Sequence, residues 1–207
     1  MKNVSLLIIL FFSLAGRAQI MINKGIYKVN FSNELHVPRW VSYTLYKGGG
    51  PCDRNDEGMH FKNDMPELKC AKDGDYTGSD YEKGHMANAE DFAFDCKKEE
   101  LTFRYYNCIP QTTEANHKSW VAKEKEIREW SQKEKLFIIC GGYYKGKKIG
   151  KKKDIAVPEY CWKIVQSCKT GKILFCGIWK NNHVADLEKK TVSEIEEMLH
   201  TKIILYK

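Results

Sequence analysis

Residues 114–135 constrain the fold of this chain most, because they form one helix-type segment among segments that favour strands. Their sequence, EANHKSWVAKEKEIREWSQKEK, is rich in helix formers and contains neither proline nor glycine. Residues 40–45 (WVSYTL) and 101–106 (LTFRYY) alternate as half-buried strands do. Residues 136–140 (LFIIC) form a continuous apolar run that is typical of a fully buried strand. The order predicts strands on both sides of one central helix.

Two further segments extend this pattern toward the C-terminus. Residues 160–179, YCWKIVQSCKTGKILFCGIW, predict a β-hairpin that turns at residues 169–171. Thr191 and Glu194 stand at capping-box spacing ahead of an apolar stripe, which predicts a short helix. We therefore expect an α+β domain that combines a mainly antiparallel sheet with flanking helices.

The first 18 residues, MKNVSLLIILFFSLAGRA, have the layout of a secretory signal peptide. A lysine near the start is followed by an apolar run and then by small residues that end at Ala18, and the run is too short for a permanent membrane helix. The alternative for this segment is a buried first strand. No later apolar run approaches membrane length, so we predict an exported protein, periplasmic or extracellular.

Residues 19–207 are predicted to form a single domain. They contain no linker, repeat or low-complexity stretch, and their number suits one core. With 43% hydrophobic and 12% aromatic residues, the chain has the material for a sizeable core.

The charge of the chain is mildly basic but unevenly distributed. The full sequence has 34 basic and 27 acidic residues. The segment 145–154, KGKKIGKKKD, concentrates positive charge in one place. Such a run suits a polyanion, most often a nucleic-acid backbone, and its candidate contacts are Lys147, Lys148, Lys151 and Lys152. The alternative is a solvated loop tip between two strands.

Eight cysteines lie after the leader, and an even number in an exported chain favours disulfides. Spacing does not choose among the 105 possible full pairings of eight cysteines. No C-x-x-C is present, which argues against a structural zinc knuckle. Cys140 and Cys176 lie in apolar strand-like runs, so they could equally be small buried hydrophobic residues.

The central helix carries an unusual polar pair. At about 100° per residue, Asn116, Trp120, Glu124 and Ile127 share one helix face. Trp120 and Ile127 suit a core, whereas a polar pair on such a face needs partners. Helical side chains lean toward the N-terminus, so we expect the Glu124 carboxylate behind the Asn116 amide, an arrangement that suits a hard cation such as Mg²⁺. The alternative for Asn116 is a helix cap.

Three segments of the sequence form one pattern. They are YEKGHMANAED at 81–91, NCIPQ at 107–111 and N-x3-W-x3-E at 116–124. In their order and spacing they resemble the DNA/RNA non-specific endonuclease family, whose pattern is Asp-Arg-Gly-His, then Asn-x-x-Pro-Gln, then a helix with Asn and Glu. Flanking pieces also resemble the family, among them PRWVSYTL at 38–45 and TVSEIEEM at 191–198. The resemblance covers nearly all of the chain after the leader.

The resemblance implies a ββα-metal site, in which two strands and a helix bring a histidine and a metal ligand together. His85 would be the general base that takes a proton from the attacking water. Asn116 would be the single protein ligand of Mg²⁺, or of Mn²⁺ or another divalent cation. Glu124 would hold water bound to that ion.

The resemblance also assigns the surroundings of the site and shows where this chain departs from the pattern. Arg54 would contact the phosphate opposite the metal, and Asn107 would help to position the site. Glu82 and Lys83 replace the usual Asp-Arg, and Asn88 replaces a common proline. Lys83 keeps a positive charge for the phosphate but lacks the bidentate fork of arginine.

We therefore expect a secreted metal-dependent endonuclease that hydrolyses phosphodiester bonds of DNA, RNA or both. Histidine has an unperturbed pKa near 6.5 and can act as a base, and a neutral Asn ligand leaves the charge of a divalent ion undiminished. No helix-turn-helix, zinc finger or base-stacking platform is visible, so contacts should run through the phosphate backbone. The alternatives are a cationic binding protein and a protein of nuclease fold that binds nucleic acid without catalysis.

Overall fold

The computed structural model describes residues 19–206, and the predicted signal peptide, residues 1–18, lies outside the described residues. The strands of the described chain are β1 (Ile20–Asn23), β2 (Tyr27–Ser32), β3 (Val37–Leu45), β4 (Glu82–His85), β5 (Cys108–Gln111), β6 (Leu136–Ile149), β7 (Ile155–Ser167), β8 (Ile173–Lys180) and β9 (Leu187–Lys189). The α-helices are α1 (Asp73–Tyr76), α2 (Cys96–Thr102), α3 (Val121–Ser131) and α4 (Val192–Leu199). None of the helices between residues 19 and 206 is long and apolar enough to span a membrane.

Seven strands form one sheet in the order β1-β2-β3-β6-β7-β8-β9, and every pairing in it is antiparallel. A separate two-stranded sheet pairs β4 with β5, also antiparallel. The predicted α+β class with a mainly antiparallel sheet is confirmed. The small sheet matters most for function, because it carries the histidine of the candidate site.

The central strand β6 shows why the large sheet is buried on both faces. Ile138 and Cys140 point into the main core, whereas Ile139 points into a second core under α4. The alternation follows from the two-residue period of a strand. The continuous apolar run at 136–140 therefore does form a fully buried strand, as predicted.

The main core lies between the large sheet and the layer that contains α3 and the β4–β5 pair. Trp120, just before α3, meets Trp179 of β8 edge-on, with 4.8 Å between ring centroids. Ile127 of α3 and Ile109 of β5 are buried in the same core. The second core packs Ile195 of α4 against the opposite face of the sheet.

The predicted central helix is present but has two parts. Residues Ala115–Trp120 are π-helical, and α3 continues from Val121 to Ser131. A π-helix bonds residue i to i+5, which changes the angular offset between residues on either side of it. The predicted hairpin at 160–179 and the helix capped by Thr191 and Glu194 are both confirmed.

The strand predicted at residues 101–106 is wrong. Helix α2 ends only at Thr102, and a 3-10 turn follows at Tyr105–Asn107 before β5 begins at Cys108. The Asp95 side chain accepts hydrogen bonds from the backbone N–H groups of the first turn of α2, and this cap starts the helix. Phe103, Tyr105 and Tyr106 of this segment are buried although they belong to no strand.

One disulfide, Cys52–Cys96, is present between residues 19 and 206. It joins the segment before β4 to the first residue of α2 across 44 positions of sequence. Cys140 and Cys176 are free and buried, which confirms their interpretation as small hydrophobic residues.

Replacing both Cys52 and Cys96 by serine should lower the free energy of unfolding by about 2–4 kcal/mol, because the unfolded chain loses a covalent constraint. Denaturant unfolding of the oxidised protein and the variant measures the difference. Cys168→Ser is the matched control, since this thiol is free and only partly buried. Equal unfolding midpoints for the double variant and the wild type would contradict the assigned disulfide.

Candidate active site

His85 is the last residue of β4. Its register partner is Cys108 of β5. Gly84 lies against the side chain of Gln111, and a Cβ on Gly84 would lie 1.7 Å from Gln111 Oε1. A side chain at position 84 would therefore force the buried Gln111 side chain to move.

The imidazole of His85 lies between aromatic rings. Phe61 and Phe103 flank it with ring centroids at 4.6 and 4.8 Å. Its Nε2 atom is buried, and no group in the described chain hydrogen-bonds to it. Burial, and then the positive charges of Arg54 and Lys83, lower the pKa of His85 to about 3. The ring is therefore neutral at physiological pH, with a nitrogen lone pair available.

Asn107 fixes the backbone that follows His85. Its side-chain N–H groups donate to the carbonyl oxygens of Ala87 (3.0 Å) and Thr102 (2.8 Å). Its Oδ1 accepts from the backbone N–H of Ala87 at 2.9 Å. These bonds engage the Asn107 amide with the main chain, so the side chain holds the backbone that follows His85 in place.

Asn116 lies in the first turn of the central helix, where Glu82 of β4 orients it. The Asn116 Nδ2 atom donates to Glu82 Oε2 at 3.0 Å. The same carboxylate accepts from Thr113 at 2.9 Å and pairs with His117 Nε2 at 2.6 Å. These hydrogen bonds lower the pKa of Glu82 against the effect of its burial. With its nitrogen engaged, Asn116 presents its amide oxygen for other contacts.

Glu124 of α3 is buried and has two protein partners. Its Oε1 atom accepts from Lys163 Nζ at 3.0 Å, and its Oε2 atom accepts from Asn88 Nδ2. Asn116 and Glu124 bond to different protein groups, so the predicted placement of the Glu124 carboxylate behind the Asn116 amide stays a prediction. The π-helical turn between them changes their register.

Arg54 lies in the segment that the disulfide holds, about half exposed and surrounded by acids. Its guanidinium is 3.7 Å from Glu90 Oε2 and 3.8 Å from the buried Glu99 Oε1. It also lies 3.5 Å from Asn88 Oδ1 and acts electrostatically on His85. The charge of Arg54 therefore acts on the histidine, while its predicted contact with a phosphate stays a prediction.

Lys83 and the lysine run lie on neighbouring surfaces. Lys83 pairs with Asp73 of α1 and stands over the Phe61 ring, 5.2 Å from its centroid. Lys147 stands 4.9 Å over the ring of Tyr81, the residue before β4. Lys151 passes beside Gly74 of α1, next to Asp73.

The other two lysines of the run share this exposed hairpin tip. Lys148 lies near the end of β6, and Lys152 lies in the turn before β7. The tip is thus a solvated connection between two strands, and it borders the site at the same time.

A comparison with models of known protein families identifies the family of this chain. The model described as DNA/RNA non-specific endonuclease matches residues 7–203. The chain belongs to this family. The predicted resemblance is confirmed, and the family is one of nucleases, which are hydrolases.

Individual relatives agree with the family. The chain is 30% identical over 146 residues to a protein named Nuclease from Nostoc sp. (strain PCC 7120), which covers 69% of this chain and 52% of that protein. It is 28% identical over 151 residues to human Nuclease EXOG, mitochondrial, covering 66% and 41% of the two chains. It is 25% identical over 169 residues to bovine Endonuclease G, mitochondrial, covering 74% and 56%. The chain spans about half the length of these curated relatives.

A solved structure agrees in fold. A chain in the crystal structure of the EndoG/EndoGI complex superposes on this protein with a TM-score of 0.71 at 21% identity. The match covers 87% of this chain and 83% of that chain. At this identity the likeness concerns the fold alone.

The donor set of this nuclease-family site fits a hydrated hard cation. Among residues 19–206, no three side chains of His, Cys, Asp or Glu come together as a metal cage. The Asn116 amide oxygen, with its nitrogen bound to Glu82, offers one neutral oxygen ligand. Mg²⁺ keeps several of its waters and takes few protein ligands, so one such oxygen suits it.

Sequence reasoning missed two members of the site. Arg128 donates to Asn88 at 3.2 Å and to Asp91 at 2.8 Å. It stands four residues after Glu124 on the same helix, a spacing that could have indicated a shared face. Lys163 stands alone among apolar residues of YCWKIV, and a charge in a buried strand indicates a buried partner.

The lowered pKa of His85 predicts its protonation behaviour. The His85 ring signal in an NMR titration should not change between about pH 8 and pH 5, because protonation occurs near pH 3. The unfolded chain takes this proton near pH 6.5, so stability should fall as the pH drops below about 6.5. The His85→Gln variant assigns the ring signal. A titration midpoint near the ordinary histidine value would contradict the buried environment.

Proposed function

We propose that this protein is an exported, metal-dependent endonuclease that hydrolyses phosphodiester bonds of DNA, RNA or both without base specificity. The observation that carries the proposal is the neutral His85 imidazole, which has no protein partner at its buried Nε2 atom and is influenced by the charges of Arg54 and Lys83. A nitrogen base beside two cations has the composition that phosphodiester hydrolysis requires. Membership of the nuclease family supports this interpretation of the site.

His85 would act as the general base. The lone pair of its neutral imidazole would take a proton from the water that attacks phosphorus. In the free protein Arg54 and Lys83 weaken the base by lowering its pKa. A bound phosphate would offset both positive charges, so the basicity of His85 would rise when the substrate arrives.

Arg54 and Lys83 would hold the phosphate. Both are already held by carboxylates, Arg54 by Glu90 and Glu99 and Lys83 by Asp73. A phosphodiester would replace part of these contacts, and the acids would keep the side chains oriented until then. Arg54 offers the bidentate fork that Lys83 lacks.

Asn116 would hold a Mg²⁺ ion through its amide oxygen, with Mn²⁺ or another hard divalent cation as a substitute. When bound, the ion would supply positive charge to the phosphate and to the leaving 3′ oxygen. Glu82 would keep the oxygen side of the amide turned outward by accepting its N–H group. Glu124 would lie behind this site, with its carboxylate held by Lys163 and Asn88.

Two observations support export to the periplasm or the cell exterior. The first 18 residues have the composition of a signal peptide. The Cys52–Cys96 disulfide is of a kind that persists in oxidising compartments. The disulfide also anchors the segment that carries Arg54, so an oxidising environment would support the site itself.

A plasmid digest tests the proposal and separates it from nucleic-acid binding without catalysis. Wild type should cleave plasmid DNA with Mg²⁺ and not with EDTA, and His85→Ala should slow the chemical step about 10²–10⁴-fold. His183→Ala is the matched control, since His183 is an exposed histidine on the loop after β8. Binding without cleavage by the wild type would establish the non-catalytic alternative.

The lysine run should contribute to substrate binding through counterion release. Replacing Lys147, Lys148, Lys151 and Lys152 by Gln should flatten the dependence of DNA affinity on salt, by roughly one unit of logarithmic slope for each phosphate that the variant no longer neutralises. Fluorescence anisotropy in EDTA at several salt concentrations measures the slope.

The matched control for the lysine run replaces Lys133, Lys135, Lys169 and Lys172, four exposed lysines at the opposite end of β6. Both variants lose the same net charge, so only position distinguishes them. Equal slopes for the two variants would show that the run has no specific role in binding.

A further inference from the structure

Asn88 occupies the space between the acid and the arginines of the site. The residue precedes a 3-10 turn at Ala89–Phe92 and is 7% exposed. Its Nδ2 atom donates to Glu124 Oε2. On the other side, its Oδ1 atom accepts from Arg128 Nη1 at 3.2 Å and lies 3.5 Å from Arg54 Nη2.

Each end of the Asn88 amide meets a group of complementary hydrogen-bonding type. A carboxylate can only accept hydrogen bonds and a guanidinium can only donate them. The amide offers a donor to Glu124 and an acceptor to the arginines, so its orientation is set by its neighbours from both sides. Reversing the amide would place oxygen against the carboxylate and N–H groups against the guanidiniums.

The backbone conformation at this position does not require asparagine. Asn88 has φ −69° and ψ 134°, which lie in the range that proline adopts. The family resemblance places a proline here, and such a residue would keep the backbone but could not bond to Glu124. The difference between this chain and that pattern is therefore confined to the side chain.

We propose that Asn88 is a positioning residue of this nuclease site, which holds the carboxylate of Glu124 in place for the metal ion bound at Asn116. The inference rests on the proposed function. Lys163 holds one oxygen of Glu124 from the sheet side, and Asn88 holds the other. Loss of the amide would leave the second oxygen without its donor and would free the carboxylate to rotate about its bond to Lys163.

The first test measures Mg²⁺ binding without nucleic acid. The thermal midpoint of the protein is followed as MgCl₂ is added, since an ion that binds the folded state raises it. In Asn88→Pro and Asn88→Leu the Mg²⁺ dissociation constant fitted to this rise should increase about 10- to 100-fold, the usual result of losing an outer partner of a metal site. Asn88→Leu keeps the shape of the side chain, so the inference remains testable if the proline variant does not fold.

The matched control is Asn30→Leu. Asn30 is a buried asparagine on β2 that donates to Gln19 at 2.8 Å, at the edge of the large sheet. Like the Asn88 variants, Asn30→Leu removes a buried amide, but it should leave the Mg²⁺ dissociation constant unchanged. Asn88 variants that raise this constant no more than Asn30→Leu does would overturn the inference.

A double-variant comparison separates positioning of Glu124 from a general loss of structure. If Asn88 acts through Glu124, Asn88→Leu combined with Glu124→Gln should bind Mg²⁺ no more weakly than Glu124→Gln alone. Additive losses would overturn the proposed route through Glu124. The initial cleavage rate at saturating plasmid should show the same pattern of non-additivity.

The outcomes distinguish this inference from the proposed function. If Mg²⁺ stabilises the wild type but the wild type cleaves no plasmid, the proposed function is overturned. The Mg²⁺ dissociation constants of the Asn88 variants would still decide the role of Asn88. An active wild type with unaffected Asn88 variants would overturn only the inference.

Discussion

A buried ion pair between Lys163 and Glu124 joins the large sheet to the helix of the candidate site. Lys163 stands on β7, next to the central strand β6, and its side chain is only 1% exposed. Its ammonium group is 3.0 Å from the Glu124 carboxylate and 3.9 Å from the centroid of the Trp120 ring. Because removal of one partner of a buried pair costs about 3–5 kcal/mol, this contact strongly constrains how α3 lies on the sheet.

From this pair a polar network extends through the site and returns to the sheet. Glu124 bonds to Asn88, Asn88 accepts from Arg128, and Arg128 donates to Asp91. Asp91 then accepts from the hydroxyl group of Tyr43 on β3 at 2.7 Å. Buried polar groups are tolerated when they are satisfied, and a satisfied network rigidifies its members. The apolar cores hold the layers together, and this network specifies their relative position at the site.

The electrostatics of the site divide it into two parts. The histidine lies among aromatic rings, where burial and neighbouring cations keep it neutral. The cations Arg54 and Lys83 are paired with carboxylates on the protein. A substrate phosphate would therefore change both parts together, because it competes for the cations and removes their share of the lowering of the His85 pKa.

Most elements of the fold and the chemical groups of the candidate site follow from the sequence. A continuous apolar run predicted β6, two strand-like runs around the turn at 169–171 predicted the β7–β8 hairpin, and the order and spacing of His85, Asn107 and Asn116 indicated the family. These signals are local, so a pattern along the chain carries them. The partners of each group follow only from tertiary packing. The partners of Glu124, the protein groups on both sides of Asn88 and the helix at Cys96–Thr102 depend on residues distant in sequence or on a capping bond. Such contacts arise when strands and helices pack, and no period in the sequence encodes them.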